Sequence, residues 1–163
     1  MITFITRQTY EHFARAIPGL SRALDKTTLG KSWDIQSLSD HIANFAAYVF
    51  LQEESGYAGA FTISQTPLMR SIYFFWSGKD KANKVPINHH EVDEFLIAAA
   101  RHFNCSQIIC EGRAGWSKIV EPLGYVEDSR VYIKEVSHEL PEIQPTASDG
   151  REPDGSGQGE LPL

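Results

Sequence analysis

Two residues that follow a buried β-strand pattern could do chemistry, Glu111 and Arg113. A glutamate at the end of a strand is a potential general base, because its carboxylate can take a proton from a reacting group. An arginine two residues further on could clamp an anion or a carboxylate, since its guanidinium presents five donors in a fixed geometry. The alternative is a surface ion pair between these two residues, with the neighbouring Trp116 as a core anchor.

A lysine-rich loop is the second candidate for ligand binding. Lys79, Lys81 and Lys84 follow a strand pattern and precede a helical pattern that begins at Asn88. Such a loop can attract a phosphate through its charge. It lacks the glycines that would let backbone amides surround the phosphate, so a solvated turn is the alternative interpretation.

Other reaction classes lack their motifs. The sequence contains neither Gly-x-Ser-x-Gly nor His-Glu-x-x-His, so serine and zinc hydrolase chemistry is not indicated. His89 and His90 are adjacent and therefore point to different sides of a helix, so no metal site is predicted. Cys105 and Cys110 lie on one predicted strand, where they cannot bridge, and we interpret them as free core thiols.

Composition favours one compact domain with an acidic tail. The 163 residues are 42% hydrophobic, which suffices for a single core. Residues 137–163 contain six acidic residues and one arginine, so they carry a net charge of −5 out of −6 for the whole chain. We therefore expect a folded domain over residues 1–136 and disorder over residues 137–163. The tail is either an acidic interaction arm or a solubilising end.

Charge and hydropathy also exclude some partners. The first 136 residues are nearly neutral and carry no basic stripe interleaved with aromatics, so nucleic-acid binding is not predicted. No apolar run approaches the roughly 18 residues that a membrane span needs. Residues 1–7 lack a basic region followed by a long apolar one, so we expect no secretory signal and a cytoplasmic location.

Hydrophobic periodicity predicts alternating strands and helices over residues 1–136. Helical spacing covers residues 10–24, with Pro18 as a kink or break, and Asp34 and Asn88 cap two further helices. Strand patterns cover residues 2–6, 46–51, 57–64, 71–76 and 106–110, and a last pair of strand segments covers residues 125–126 and 130–134. The order β-α-α-β-β-β-α-β-α-β predicts an α/β fold with a mixed central sheet of about six or seven strands flanked by helices.

Residues 111–125 resemble the end of one enzyme superfamily. A strand, a break at Gly112, a short helix ending in Leu123-Gly124-Tyr125 and a closing strand are how the Gcn5-related N-acetyltransferases (GNAT) finish. More narrowly, the sequence motif Gly-Arg-x-Gly-Trp resembles that of small GNAT-like proteins of tailed bacteriophages, including virion components. Together with the element order, the resemblance covers residues 1–136 and implies a GNAT-like fold.

The resemblance implies a cleft where the strands over residues 71–76 and 106–110 run parallel and then part. The predicted neighbours in this cleft are Tyr73 and Phe75 from one strand and Glu111, Arg113 and Trp116 from the other side. Of these, Tyr73 and Glu111 are the candidate catalytic residues. Family members hold the pyrophosphate of acetyl-CoA on the loop and helix that follow the fourth strand. The candidate cofactor-binding residues implied in this way are Phe75, Trp76, Ser77, Gly78, Lys79, Lys81, Lys84 and Arg113.

Two motifs of the family are altered in this chain. The Arg/Gln-x-x-Gly-x-Gly/Ala pattern is absent from residues 77–88, and three acidic residues in the first turns of the next helix would repel a phosphate. Counting back from Gly124 places Val120 where the family has a tyrosine general acid, and Arg113 where it has an asparagine. Valine can donate no proton.

Two functions of different classes remain open. The first is a catalytically degenerate GNAT-fold protein that acts as a structural or interaction module, without a cofactor and with protein partners. The phage resemblance would place it among other virion proteins or in a host cytoplasm. The second is an active acetyl-CoA-dependent N-acetyltransferase with a divergent pyrophosphate loop and a small-molecule amine as acceptor.

Overall fold

A computed structural model describes residues 1–138, and in this range five strands form one mixed sheet. The strands are β1 (Ile2–Ile5), β2 (Tyr48–Gln52), β3 (Tyr57–Gln65), β4 (Arg70–Lys79) and β5 (Gln107–Cys110). Their order in the sheet follows the chain, with antiparallel pairing from β1 through β4 and parallel pairing between β4 and β5. The predicted α/β architecture and the parallel neighbours at the cleft are confirmed.

Four α-helices flank the sheet within the described residues. They are α1 (Phe13–Lys26), α2 (Ile35–Ala43), α3 (His89–His102) and the short α4 (Ser117–Val120). Turns of 3-10 helix precede α1 and α2 and lie on both sides of α4 (Arg7–His12, Thr28–Lys31, Ala114–Trp116, Glu121–Leu123). A kink or break was predicted at Pro18; the break is wrong, because α1 continues through this residue, and the kink stays a prediction. The buried face of α1 packs on the sheet, and such tertiary packing can outweigh one lost hydrogen bond.

Two helices begin where their capping residues predicted. At the start of α2, the Asp34 carboxylate accepts the backbone N–H of Ser37 at 2.6 Å. At the start of α3, the Asn88 side chain accepts the N–H of Glu91 at 3.1 Å. The reciprocal bond of a capping box does not form, since the N–H of Asn88 donates to Oε1 of Gln52 at 3.0 Å instead.

The closing strand predicted over residues 125–134 does not form. Residues 124–138 contain no helix or strand, so the described sheet has five strands rather than six or seven. The segment is rich in β-forming side chains, yet Val126, Tyr132 and Ile133 are 86%, 89% and 83% exposed. Strand propensity reflects packing on a half-buried surface more than an intrinsic backbone preference. Apolar alternation alone therefore does not make this segment a strand.

Residues 1–127 form one compact unit. Residues 128–138 are the described part of a second unit and contain no regular secondary structure. The predicted domain boundary after residue 136 and the predicted disorder of the acidic tail stay predictions, and residues 139–163 lie outside the described range.

The core has two layers, one on each face of the sheet. One layer, under α1 and α2, includes Ile5, Leu20, Leu38, Val49 and Trp76, and the other, under α3, includes Phe50, Phe61, Ile72, Phe74 and Leu96. The indole N–H of Trp76 donates to the carbonyl of Leu20 at 3.0 Å and ties β4 to α1. Close by, Gly78 and Gly19 bring the two backbones together, because a Cβ on Gly78 would overlap the Gly19 carbonyl oxygen.

Candidate functional site

Strands β4 and β5 part at a fork that begins after Phe74 and Cys110. Their register pairs Ser71 with Gln107 at one end and Phe74 with Cys110 at the other. The N–H of Glu111 donates one more bond to the Phe74 carbonyl at 3.1 Å. Beyond this point β4 continues to Lys79, while the chain after Glu111 turns away into the helical segment that contains α4.

A β-bulge shapes the β4 side of the fork. On β3, Phe61 pairs with Phe74 and Ala60 pairs with Trp76, which leaves Phe75 as the extra residue. The Phe75 side chain packs with the core under α1 and α2, on the same face as Trp76. The bulge therefore breaks the strand alternation and places two successive aromatic side chains on one face of the sheet.

The structure brings together Tyr73 and Glu111, the two candidate catalytic residues. The Tyr73 hydroxyl donates a hydrogen bond to Oε2 of Glu111 across the fork. Partial burial raises the pKa of Tyr73, and the hydrogen bond to the Glu111 carboxylate and its negative charge raise this pKa further. The phenol therefore stays protonated near neutral pH and acts as the donor in this pair.

Glu111 and Arg113 do not form the surface ion pair that was the alternative interpretation. Among the described residues, salt bridges join Met1 to Glu54 and Glu91, His12 to Glu11, and Arg15 to Glu53, but no such contact joins Glu111 to Arg113. The side chain of Arg113 is exposed, and its carbonyl accepts the N–H of Trp116 at 2.9 Å at the start of a 3-10 turn. Arg113 thus lies at the fork without pairing with the candidate base.

An aromatic row extends from Tyr73 along the α1/α2 face. The rings of Tyr73 and Phe75 stack with centroids 5.5 Å apart and planes 11° apart. The Phe75 ring lies 5.1 Å from that of Trp33, which in turn lies 4.8 Å from His41. No sequence signal indicated the place of Trp33, because it stands in the loop before α2, far from β4 in the chain.

On the opposite face of the sheet, Trp116 packs beside the fork. Its ring meets Phe74 edge to face at 6.4 Å. It also packs on Gly112, where a Cβ would lie 2.6 Å from Cδ1 of Trp116. The remaining cavity has a volume of about 30 Å³ and is lined in part by Ser77, Cys110 and Val120. That volume suits about one water molecule.

The thiol in this cavity is not an activated nucleophile. Burial, and to a lesser extent the charge of Asp93, raises the pKa of Cys110 to about 12. A thiol with such a pKa is protonated near neutral pH, and the thiolate is the reactive form. The interpretation of Cys110 as a core thiol agrees with this environment.

The lysine-rich loop is closed by its own hydrogen bonds. The Asp80 carboxylate accepts the N–H of Ala82 at 3.0 Å, and the Asn83 side chain accepts the N–H of Val85 at 2.9 Å. The N–H of Asp80 donates to the Gly56 carbonyl at 3.1 Å, and that of Asn83 donates to the Asp80 carbonyl at 3.2 Å. These backbone donors are therefore already used within the protein.

The lysines of this loop differ in their surroundings. Lys79 donates from Nζ to the Asn83 carbonyl at 2.8 Å, so it supports the loop. Lys81 and Lys84 are exposed to solvent. Two of the other implied cofactor-binding residues, Trp76 and Gly78, contact α1.

The acidic start of α3 is partly neutralised. The Glu91 carboxylate lies 2.6 Å from the ammonium group of Met1 and accepts Nε2 of the buried Gln52 at 2.9 Å. The repulsion of a phosphate expected from Glu91 is therefore smaller than the sequence predicted. Glu94 is exposed and Asp93 is partly buried.

An open groove of about 580 Å³ lies between the start of α3 and α4. Its lining includes the apolar Ile87, Ile119 and Leu123 together with His89, His90 and Lys118. Partial burial, followed by the charge of His90, lowers the pKa of His89, which favours the neutral ring.

Metal and membrane features can be judged for residues 1–138. In this range, no group of three or more His, Cys, Asp or Glu side chains is placed to hold a metal ion. No helix of the described range is long and apolar enough to cross a bilayer.

Comparison with known proteins gives structural matches only. No protein-family model matches the sequence, and no curated protein matches it. An aminoglycoside acetyltransferase from an uncultured soil metagenomic sample has a TM-score of 0.63 at 12% identity, over 84% of this chain and 98% of that one.

Two further solved structures have slightly lower TM-scores at the same sequence identity. A ribosomal-protein-alanine N-acetyltransferase from Brucella melitensis biovar Abortus 2308 has a TM-score of 0.59 at 12% identity, over 83% of this chain and 99% of that one. A predicted acetyltransferase with acetyl-CoA from Clostridium acetobutylicum has a TM-score of 0.59 at 12% identity, over 83% of this chain and 96% of that one. Identities this low establish the fold and leave the activity to the site itself. The chain has the GNAT-like α/β fold of these acetyltransferases.

Proposed function

We propose that this protein is a catalytically degenerate GNAT-fold protein that acts as a structural or interaction module, here called the binding module. The observation that carries the proposal is the loop over residues 80–85, in which the backbone N–H groups of residues 80, 82, 83 and 85 already bond to Gly56, Asp80 and Asn83. A pyrophosphate site needs such donors to point at the ligand. The residues present do not fit the pyrophosphate of acetyl-CoA unless this loop is rebuilt.

The fork supports the same proposal. Trp116 packs against Phe74 and Gly112 and leaves a cavity of about 30 Å³. An acyl thioester needs more room than one water site provides. Val120, which lines this cavity, can donate no proton to a leaving thiolate.

An active acetyl-CoA-dependent N-acetyltransferase with a divergent pyrophosphate loop is the second candidate. The hydrogen-bonded pair of Tyr73 and Glu111 at the fork favours it, because a carboxylate at this position could act as a base toward an amine. The open groove between α3 and α4 is of a size that binds small molecules.

A place in a bacteriophage virion, or in the cytoplasm of a phage host, is a further part of the proposal. It is supported by the amino-acid sequence of residues 112–125, which resembles that of GNAT-like proteins of tailed phages. In that setting the partners would be other virion proteins. Mass spectrometry of purified particles tests it: detection at stoichiometric amounts supports the proposal, and absence from intact particles contradicts it.

Calorimetric titration with acetyl-CoA tests whether the protein has lost the ability to bind this cofactor. We expect no heat of binding at micromolar concentrations, because four backbone donors of the loop, at residues 80, 82, 83 and 85, already bond within the protein. If Lys81 and Lys84 nevertheless make a working phosphate site, binding will weaken with added salt and in Lys81→Ala. Salt-sensitive micromolar binding that Lys81→Ala removes would contradict the proposal.

A further inference from the structure

We propose that the aromatic row and Glu111 form a docking site for an arginine side chain of a partner protein. The arginine site is defined as Trp33, Phe75, Tyr73, Ile109 and Glu111. The inference rests on the proposed binding role and adds the chemical group that the cleft recognises. It combines a carboxylate that takes part in no salt bridge with residues 1–138, a flat aromatic surface and an exposed aliphatic side chain.

Glu111 supplies the negative charge of the site. Its side chain is exposed, and none of the salt bridges within the described residues involves it. The Tyr73 hydroxyl donates to one of its oxygens and so holds the carboxylate beside the rings. A carboxylate has about four lone-pair positions, so both oxygens can still accept hydrogen bonds from an incoming ligand.

The surface next to this carboxylate is flat and apolar. Tyr73, Phe75 and Trp33 are each partly exposed, and their rings contact one another in sequence along the sheet face. Ile109 lies opposite Tyr73 in the β4–β5 register and is 38% exposed. The site therefore has places for a planar cation and for an aliphatic stem.

Arginine fits this combination better than lysine does. The guanidinium group is planar, weakly hydrated and able to stack on aromatic rings, and its paired N–H donors match a carboxylate. Its methylene stem can pack on Ile109 while the charged end meets Glu111. A lysine ammonium is a compact, strongly hydrated charge that gains less from the rings.

Peptide titrations followed by NMR test the inference. The probes are blocked Gly-Arg-Gly, Gly-Lys-Gly and Gly-citrulline-Gly peptides, where citrulline is a neutral analogue of arginine with nearly the same shape. The three indole N–H signals report on the tryptophans, and Trp33→Phe identifies the signal of Trp33. We expect the arginine peptide to shift that signal and to bind at least about threefold more tightly than the lysine peptide. The citrulline peptide should not bind.

Variants separate the arginine site from general charge effects. Glu111→Gln should lower the affinity for the arginine peptide by about tenfold or more, because it removes the charged group among the five residues of the site. Glu121→Gln is the matched control, since it removes another exposed carboxylate, outside the site, and should leave the affinity for the arginine peptide unchanged. Equal binding of the citrulline peptide, full affinity in Glu111→Gln, or no binding of the arginine peptide would each overturn the inference.

The outcome can be separated from that of the proposed function. An arginine guanidinium is protonated at neutral pH and is not an acyl acceptor, so the NMR readout does not depend on acetyl transfer. Arginine binding together with acetyl-CoA turnover would support the arginine site and overturn the binding-module proposal. Failure of both ligands to bind would overturn the arginine site and leave that proposal in place.

Discussion

The hydroxyl of Tyr73 on β4 donates a hydrogen bond to the carboxylate of Glu111, the residue that follows β5. This bond spans the fork at the point where the two strands stop pairing. It fixes the direction of the carboxylate and uses the only proton that the phenol can donate. The same contact that marks the fork as a candidate site thus also reduces the capacity of Tyr73 to serve as an acid.

The buried thiol predicts a loss of stability at alkaline pH. The folded protein holds the pKa of Cys110 at about 12, above its ordinary value. The unfolded chain therefore loses this proton at lower pH, so the contribution is complete below about pH 9 and is lost as pH rises toward 12. Urea unfolding at several pH values should show a smaller decline in Cys110→Ala than in the wild type.

A chemical measurement provides the control for this prediction. In a Cys105→Ala background, Cys110 should react with a disulfide reagent at pH 8 far more slowly in the folded protein than in urea. Equal rates in the two conditions would contradict the protected environment described for this thiol.

Gly78→Ala should destabilise the protein by about 3 kcal/mol or more, because its new methyl group would overlap the backbone of α1. A Cβ at this position would run into the Gly19 carbonyl oxygen, and a backbone atom cannot move aside without shifting the helix. Gly115→Ala is the matched control, since a Cβ there meets no atom within 4 Å. Thermal unfolding should separate the two variants clearly, and similar melting temperatures would contradict the close packing of α1 on β4.

Asn83→Ala should destabilise the protein by about 1 to 3 kcal/mol, since partners in the loop would lose their hydrogen bonds. The Asn83 side chain donates to the Glu54 carbonyl at 3.0 Å and accepts the N–H of Val85 at 2.9 Å. Lys84→Ala, at an exposed neighbour, should change stability by no more than about 0.5 kcal/mol. If urea unfolding gives equal values for both, the loop is not closed in the way described.

Local signals in the sequence were enough to predict much of the fold. Asp34 and Asn88 mark the starts of α2 and α3, because capping depends on a side chain bonding to backbone only three residues away. The parallel pairing of β4 with β5 followed from the element order in the resembling family. Both kinds of information are available without knowledge of distant contacts.

The remaining features depend on contacts between distant parts of the chain. Residues 125–134 have a strand pattern, but a strand forms only where a partner and a half-buried surface exist. The contact of Trp33 with Phe75 and the approach of Gly78 to Gly19 arise from helix and loop packing on the sheet. Spacing along the sequence carries no record of such packing, so Trp33 was not predicted as part of the site.

Thiol release from acetyl-CoA tests the absence of acetyl transfer most directly. The wild type and Glu111→Gln would be incubated with millimolar acetyl-CoA and a panel of amines, and free CoA would be followed with a thiol reagent. We predict that both proteins release no more thiol than a protein-free control, since four backbone donors of the loop are already bonded and the cavity beside Trp116 has a volume of only about 30 Å³. Catalytic thiol release by the wild type that Glu111→Gln abolishes would contradict the degenerate assignment and establish an enzyme.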